Sequence, residues 1–141
     1  MKRCHAFTTI EMIITLGLVA VIMLVAGPQV NRSNQHLSEQ RFWHSFRQEW
    51  QVSRTQAQIL HQGTSIYYYP PVNAIVFKGT GQKERLVPLP STLRIDKFTP
   101  IQMKTDGYVQ PGTRRLYSQI DHATYRIVIQ MARGEYDVKK D

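Results

Sequence analysis

The chain has 141 residues, a single cysteine and a formal net charge of +8, from 18 Lys and Arg against 10 Asp and Glu. That length allows one modest hydrophobic core, and the lone Cys4 excludes an intrachain disulfide framework. A basic surface of this size suits nucleic acid or anionic wall polymers, but no run of basic residues interleaved with aromatics marks a binding motif, and a solvated surface is the simpler account.

Lys2 and Arg3 open the chain, and from Phe7 to Gly27 the only charged residue is Glu11. At about 1.5 Å per residue this run makes a helix of roughly 31 Å, the thickness of a bilayer core. A secretory signal peptide shares the basic start, and "VAGP" at 25–28 imitates a cleavage site. Its apolar region is usually shorter, however, and an acid so early is unusual in that class. A carboxylate in mid-span costs on the order of 2.5–3.5 kcal/mol, and less near the interface, so Glu11 marks function. No Lys or Arg lies within the run. The counter-charge must therefore come from another chain or from a newly made amino terminus. Lys2 and Arg3 favour an inside amino terminus and an outward domain, a bias that Arg32 weakens slightly.

The stretch "KRCHAFTTIEMIITLGLVAVI" resembles the class III signal of type IV pilins and pseudopilins: a short basic leader, a small residue, Phe, Glu four positions on, then an apolar helix. The resemblance implies a prepilin leader at 1–6 and a transmembrane, assembly-forming helix at 7–28. It implies cleavage between Ala6 and Phe7 by a membrane-embedded prepilin peptidase, followed by N-methylation of Phe7. Glu11 then stands at the fifth mature position as the assembly residue, and Pro28 falls where many members carry a helix-kinking proline. Ala6 replaces the usual Gly, which implies slower processing. A methylated amine at Phe7 stays cationic at neutral pH, so Phe7 of one subunit can neutralise the buried Glu11 of its neighbour. Without Lys2 and Arg3 the +8 becomes +6, and without Cys4 the mature chain has no cysteine.

Residues 29–62 read as an amphipathic helix. Trp43, Phe46, Trp50, Ser53, Ala57 and Leu60 recur at steps of three and four, with Glu39, Arg41, Gln48, Glu49, Gln51, Arg54 and Gln58 around the remainder. Such a stripe packs on a sheet, and Gly63 is a plausible stop. Pro28 and the weak helix formers "NRSNQ" at 31–35 leave open whether this helix continues the first.

Residues 63–141 read as an antiparallel β domain. Short runs rich in β-branched and aromatic residues occur at 64–69, 74–79, 84–89, 92–95, 114–120 and 124–132, separated by Pro, Gly and Asn/Asp signals. In "YRIVIQM", Tyr125, Ile127, Ile129 and Met131 point one way and Arg126, Val128 and Gln130 the other. Pro88 and Pro90 make the third run short or an edge. "GTGQKE" at 79–84 reads as a hairpin turn and "TDG" at 105–107 as another, because neither has the spacing of a phosphate loop or the ligands of a calcium site.

The sum is an α+β fold of pilin-like plan: a long N-terminal helix, half membrane-spanning and half amphipathic, packed on a small antiparallel sheet. "FWHSFRQEWQVSRTQAQ" and a final strand and turn "YRIVIQMARGEY" look like the ComGD-type minor pseudopilins of Gram-positive competence systems, which help draw DNA inward. That resemblance implies a non-enzymatic subunit of a membrane-anchored, surface-exposed pseudopilus, without cofactor. Its partners would be other pseudopilins, the prepilin peptidase, a membrane platform protein and, indirectly, an assembly ATPase. A type II secretion pseudopilin or type IV minor pilin shares the same anchor, and a plain single-pass anchored domain is the bland alternative. A tip subunit that touches DNA directly would use Arg114, Arg115, Arg126, Arg133, Lys139 and Lys140 on one face. His5, His36, His44, His61 and His122 show no metal-ligand spacing.

Overall fold

The computed structural model describes residues 8–130 and 134–141, with residues 25–31 described for their backbone alone. The chain divides into two compact units between Gln35 and His36. Helix α1, Thr9–Leu60, contributes to both.

From Thr9 to Leu24 the helix has no polar face. Ile10, Ile13, Leu16, Val19, Ile22 and Leu24 are all exposed, as are Met12, Ile14, Leu18, Val21 and Met23 between them. Among the described residues no helix is long and apolar enough to cross a membrane. Thr9–Leu24, where side chains are described, is about 24 Å long at ~1.5 Å per residue, short of the ~30 Å of a bilayer core. The apolar run at 7–27 extends past it at both ends.

In the second unit the same helix does have a stripe. Glu39, Phe42, Phe46, Trp50, Ser53 and Ala57 are buried at steps of three and four, so one face is covered along its length. Two expectations are corrected here. Leu60 is exposed, because it is the last helical residue and left-handed His61 (φ 51) turns the chain away before Gly63 is reached. Glu39, read as part of the polar remainder, sits inside the stripe, while Trp43 is only half-buried beside Phe42.

Among the described residues eight strands follow: β1 Thr64–Tyr69, β2 Ala74–Gly79, β3 Arg85–Pro88, β4 Leu93–Lys97, β5 Ile101–Met103, β6 Gly112–Ser118, β7 Ala123–Ile129 and β8 Tyr136–Lys140. They form two antiparallel sheets rather than one, ordered β3-β2-β1-β5 and β4-β6-β7-β8. The fold is thus α+β. β3 is short and lies at an edge, as Pro88 at its end favours. β5 and β8 are additional to the runs read from sequence, and "YRIVIQMARGEY" is not the final strand, since β8 comes after it.

Both sheets pack on the helix through aromatic rings. Phe46 is fully buried and meets Phe77 of β2 at 5.5 Å and Tyr136 of β8 at 5.4 Å between ring centroids, while Trp43 meets Tyr125 of β7 at 5.4 Å. The two Phe46 pairs are edge-to-face and the Trp43 pair is tilted, and such contacts add to the burial of large apolar area. Trp50 also donates its indole N–H to the carbonyl of Gly134 at 3.0 Å, closing the connection before β8. Gly134 is left-handed (φ 62), and a Cβ there would lie 2.5 Å from the carbonyl oxygen of Gly107.

Candidate functional site

Glu11 lies in the first turn of α1, exposed on the all-apolar segment. Its backbone N–H donates to the Thr8 hydroxyl at 3.3 Å. Thr8-x-x-Glu11 has the spacing of a capping box, a second reason for an acid here that the sequence reading missed although the pattern was visible. The helix dipole also favours a negative charge at this end. Neither effect supplies a counter-ion, and among the described residues Glu11 is in no ion pair. Ala6 and Phe7 lie outside the described residues, and so does the side chain of Pro28.

Of the six basic residues assigned to one face, Arg133 lies outside the described residues and the other five divide between two sides. Burial in β6 alternates, with Arg114, Leu116 and Ser118 inward and Thr113, Arg115 and Tyr117 outward. Arg114 is therefore buried, donating from Nε to the Thr99 carbonyl at 3.0 Å and from Nη2 to the Pro100 carbonyl at 3.3 Å. Burial lowers its pKa. A side chain at Gly112 would collide with this guanidinium, which accounts for glycine there. Arg114 is a structural bracket and cannot contact a polymer.

Lys140 also leaves the proposed set, because it stands opposite Tyr125 and so on the other face from Arg126 and Lys139. Its Nζ donates to Asp121 Oδ2 at 2.7 Å, and the Tyr125 hydroxyl donates to the same oxygen at 2.5 Å. These two donors hold the Asp121 carboxyl below its ordinary range. Burial, then the hydrogen bond to Asp121, pushes the Tyr125 hydroxyl up. The chain of contacts continues inward. The Asp121 N–H donates to Ser118 Oγ at 3.2 Å, and Ser118 donates to the Glu39 carboxylate at 2.9 Å. The buried carboxylate of α1 is thereby satisfied by β6.

Arg115, Arg126 and Lys139 remain together. They occupy directly opposed positions on β6, β7 and β8, and Lys97 of β4 joins them opposite Arg115 across a bulge. Sequence reasoning missed Lys97, since only strand register places it here.

Two surface hollows of about 370 and 360 Å³ accompany these features. One is lined by Arg47, Trp50, Arg54, Glu135, Tyr136 and Asp137, the other by Tyr68, Asn73, Leu89, Leu93 and Arg94 among others. Neither gathers an acid, base and nucleophile in catalytic relation. Among the described residues no three His, Cys, Asp or Glu side chains are grouped to hold a metal ion. His61 and His122 occupy left-handed turn positions instead. No protein-family model, curated protein or solved structure matches the chain.

Proposed function

We propose that this protein is a filament subunit of the type IV pilin and pseudopilin kind, a minor pseudopilin of a membrane-anchored competence pseudopilus that assists DNA uptake. One observation carries the reading: the first part of α1 exposes large apolar side chains on every side while holding a single carboxylate. A helix apolar all round is stable only inside lipid or among other helices. The lone Glu11 then requires a cation from outside the segment, and the amine created by cleavage between Ala6 and Phe7 of a neighbouring subunit meets that requirement.

The mechanism is mechanical. The segment at 7–28 stores the subunit in the bilayer with its amino terminus inside, the peptidase exposes Phe7, and assembly moves the helix from lipid into a bundle of sister helices. Glu11 sets the register, because only one axial offset brings it to the neighbour's amine. The α+β domain, standing on packing without disulfides, selects the neighbouring pseudopilins. No enzymatic step and no cofactor enters. Energy for assembly comes from an ATPase reached through a platform protein.

Amino-terminal mass spectrometry of the cellular protein tests this reading. A mature chain beginning with N-methyl-Phe7 is the expected result. An intact Met1 start, or a cut near Gly27, would overturn it.

A further inference from the structure

We propose that the outward face of the β4-β6-β7-β8 sheet binds single-stranded nucleic acid, with Lys97, Arg115, Arg126 and Lys139 taking the phosphates and Tyr117 stacking on a base. This deepens the filament reading by giving one face its ligand, yet a subunit could assemble without it, so the two fail separately.

The argument starts from a cost. Lys97 opposes Arg115, Arg115 opposes Arg126, and Arg126 opposes Lys139, giving three successive rungs of like charge. Like charges directly opposite on a sheet are destabilising. The fold offsets this only in part. Asp141 pairs with Arg126, Asp137 stands one rung away opposite Val128, and Asp96 falls in the bulge beside Lys97. Among the described residues, Lys97, Arg115 and Lys139 are in no ion pair. A merely solvated surface has no need to align four cations edge to edge, whereas a polyanion does.

The neighbouring rung identifies the polyanion. Neighbouring strands lie about 4.8 Å apart, so the cation row extends about 14 Å, long enough to meet a short run of successive phosphates on one strand. The adjacent rung on the same face holds Arg94, Tyr117 and Thr124, about 7 Å along the strands from the cations. Tyr117 is 37% exposed, which leaves its ring available from outside. A strand with its phosphates on the cation row carries its bases over that ring. An exposed aromatic beside a basic track on a sheet is how sequence-tolerant single-strand binding is built. A duplex hides its base faces, and a wall polymer has none.

The test uses the full chain in nonionic detergent. Fluorescence anisotropy follows a labelled 20-nucleotide single strand of mixed sequence from 50 to 200 mM salt, with inorganic polyphosphate and a duplex of the same sequence as competitors. Arg115→Gln with Lys139→Gln is expected to weaken binding at least tenfold at 50 mM salt and to lower the log–log salt slope by about 1.4, or ~0.7 per cation removed. Tyr117→Ala is expected to weaken the single strand at least about fivefold while leaving polyphosphate competition unchanged. Thermal melting checks each fold, and Lys97→Gln with Lys139→Gln replaces any variant that fails to fold. Absent binding, or unchanged affinity in the cation variants, overturns the site. Duplex or polyphosphate binding equal to that of the single strand and indifferent to Tyr117→Ala overturns the choice of ligand.

Discussion

Helix α1 carries two glutamates whose circumstances are opposite. Glu11 is exposed among side chains that avoid water, with a hydroxyl capping its backbone and, among the described residues, no ion-pair partner for its carboxylate. Glu39 is 5% exposed among aromatic rings, and its carboxylate accepts from Ser118 of β6. The same residue type in one helix therefore answers two questions. Where a described residue supplies the partner, the buried acid is a fold determinant; where none does, the acid is the position that the proposed assembly must answer. The segments around them differ in the same way. The stripe from Phe42 to Ala57 is covered by the two sheets, whereas the large apolar side chains from Ile10 to Leu24 are exposed.

Substitutions sharpen this contrast, and the largest effect belongs to the packed part. Phe46→Ala removes the ring that joins α1 to both sheets and is expected to cost about 3–5 kcal/mol in urea unfolding. Leu16→Ala, the same kind of truncation at an exposed position, is expected to move the domain's unfolding by less than about 0.5 kcal/mol. If both cost the same, the contrast between the two stretches is wrong.

Glu39→Ala comes next. It strands the buried Ser118 hydroxyl and is expected to lower stability by about 1–3 kcal/mol, measured in the same unfolding experiment. Asp121→Asn should act chiefly on pH dependence. The Asp121 carboxyl has its folded pKa depressed by Lys140 and Tyr125, so its contribution is complete above the ordinary carboxylate pKa near 3.8 and is lost as pH falls through the folded value. Melting temperatures from pH 7 down to pH 2 should therefore fall less steeply below about pH 4 in the variant than in the wild type. Glu11→Gln has the smallest expected effect on domain stability, below about 0.5 kcal/mol, and yet should abolish incorporation into filaments isolated from cells. Filaments containing the Gln variant at normal levels would detach Glu11 from assembly.

Much of the fold was legible, and its misreadings have identifiable physical causes. The ranges of β1 and β2 coincide with runs rich in β-branched and aromatic residues between clear turn signals. β5 has three residues and exists by pairing with β1, Ser65 opposite Gln102. β8, "YDVKK", has too many charges to read as a strand and is held by β7 along its whole length. Glu39 looked polar by type, because nothing local reveals that a serine 79 residues later faces it. The basic set was misjudged for a similar reason: side alternation separates Arg114 from Arg115 and Lys140 from Lys139.

Composition and periodicity alone determined the apolar segment with its solitary acid, the amphipathic stripe and the succession of short strands, because each of these is a property of neighbouring residues. Only the tertiary structure decided that the strands form two sheets, that Glu39 is a core residue and that Lys97, Arg115, Arg126 and Lys139 stand in one row. Those facts depend on register between segments distant in the chain, and register is a choice made by packing as a whole.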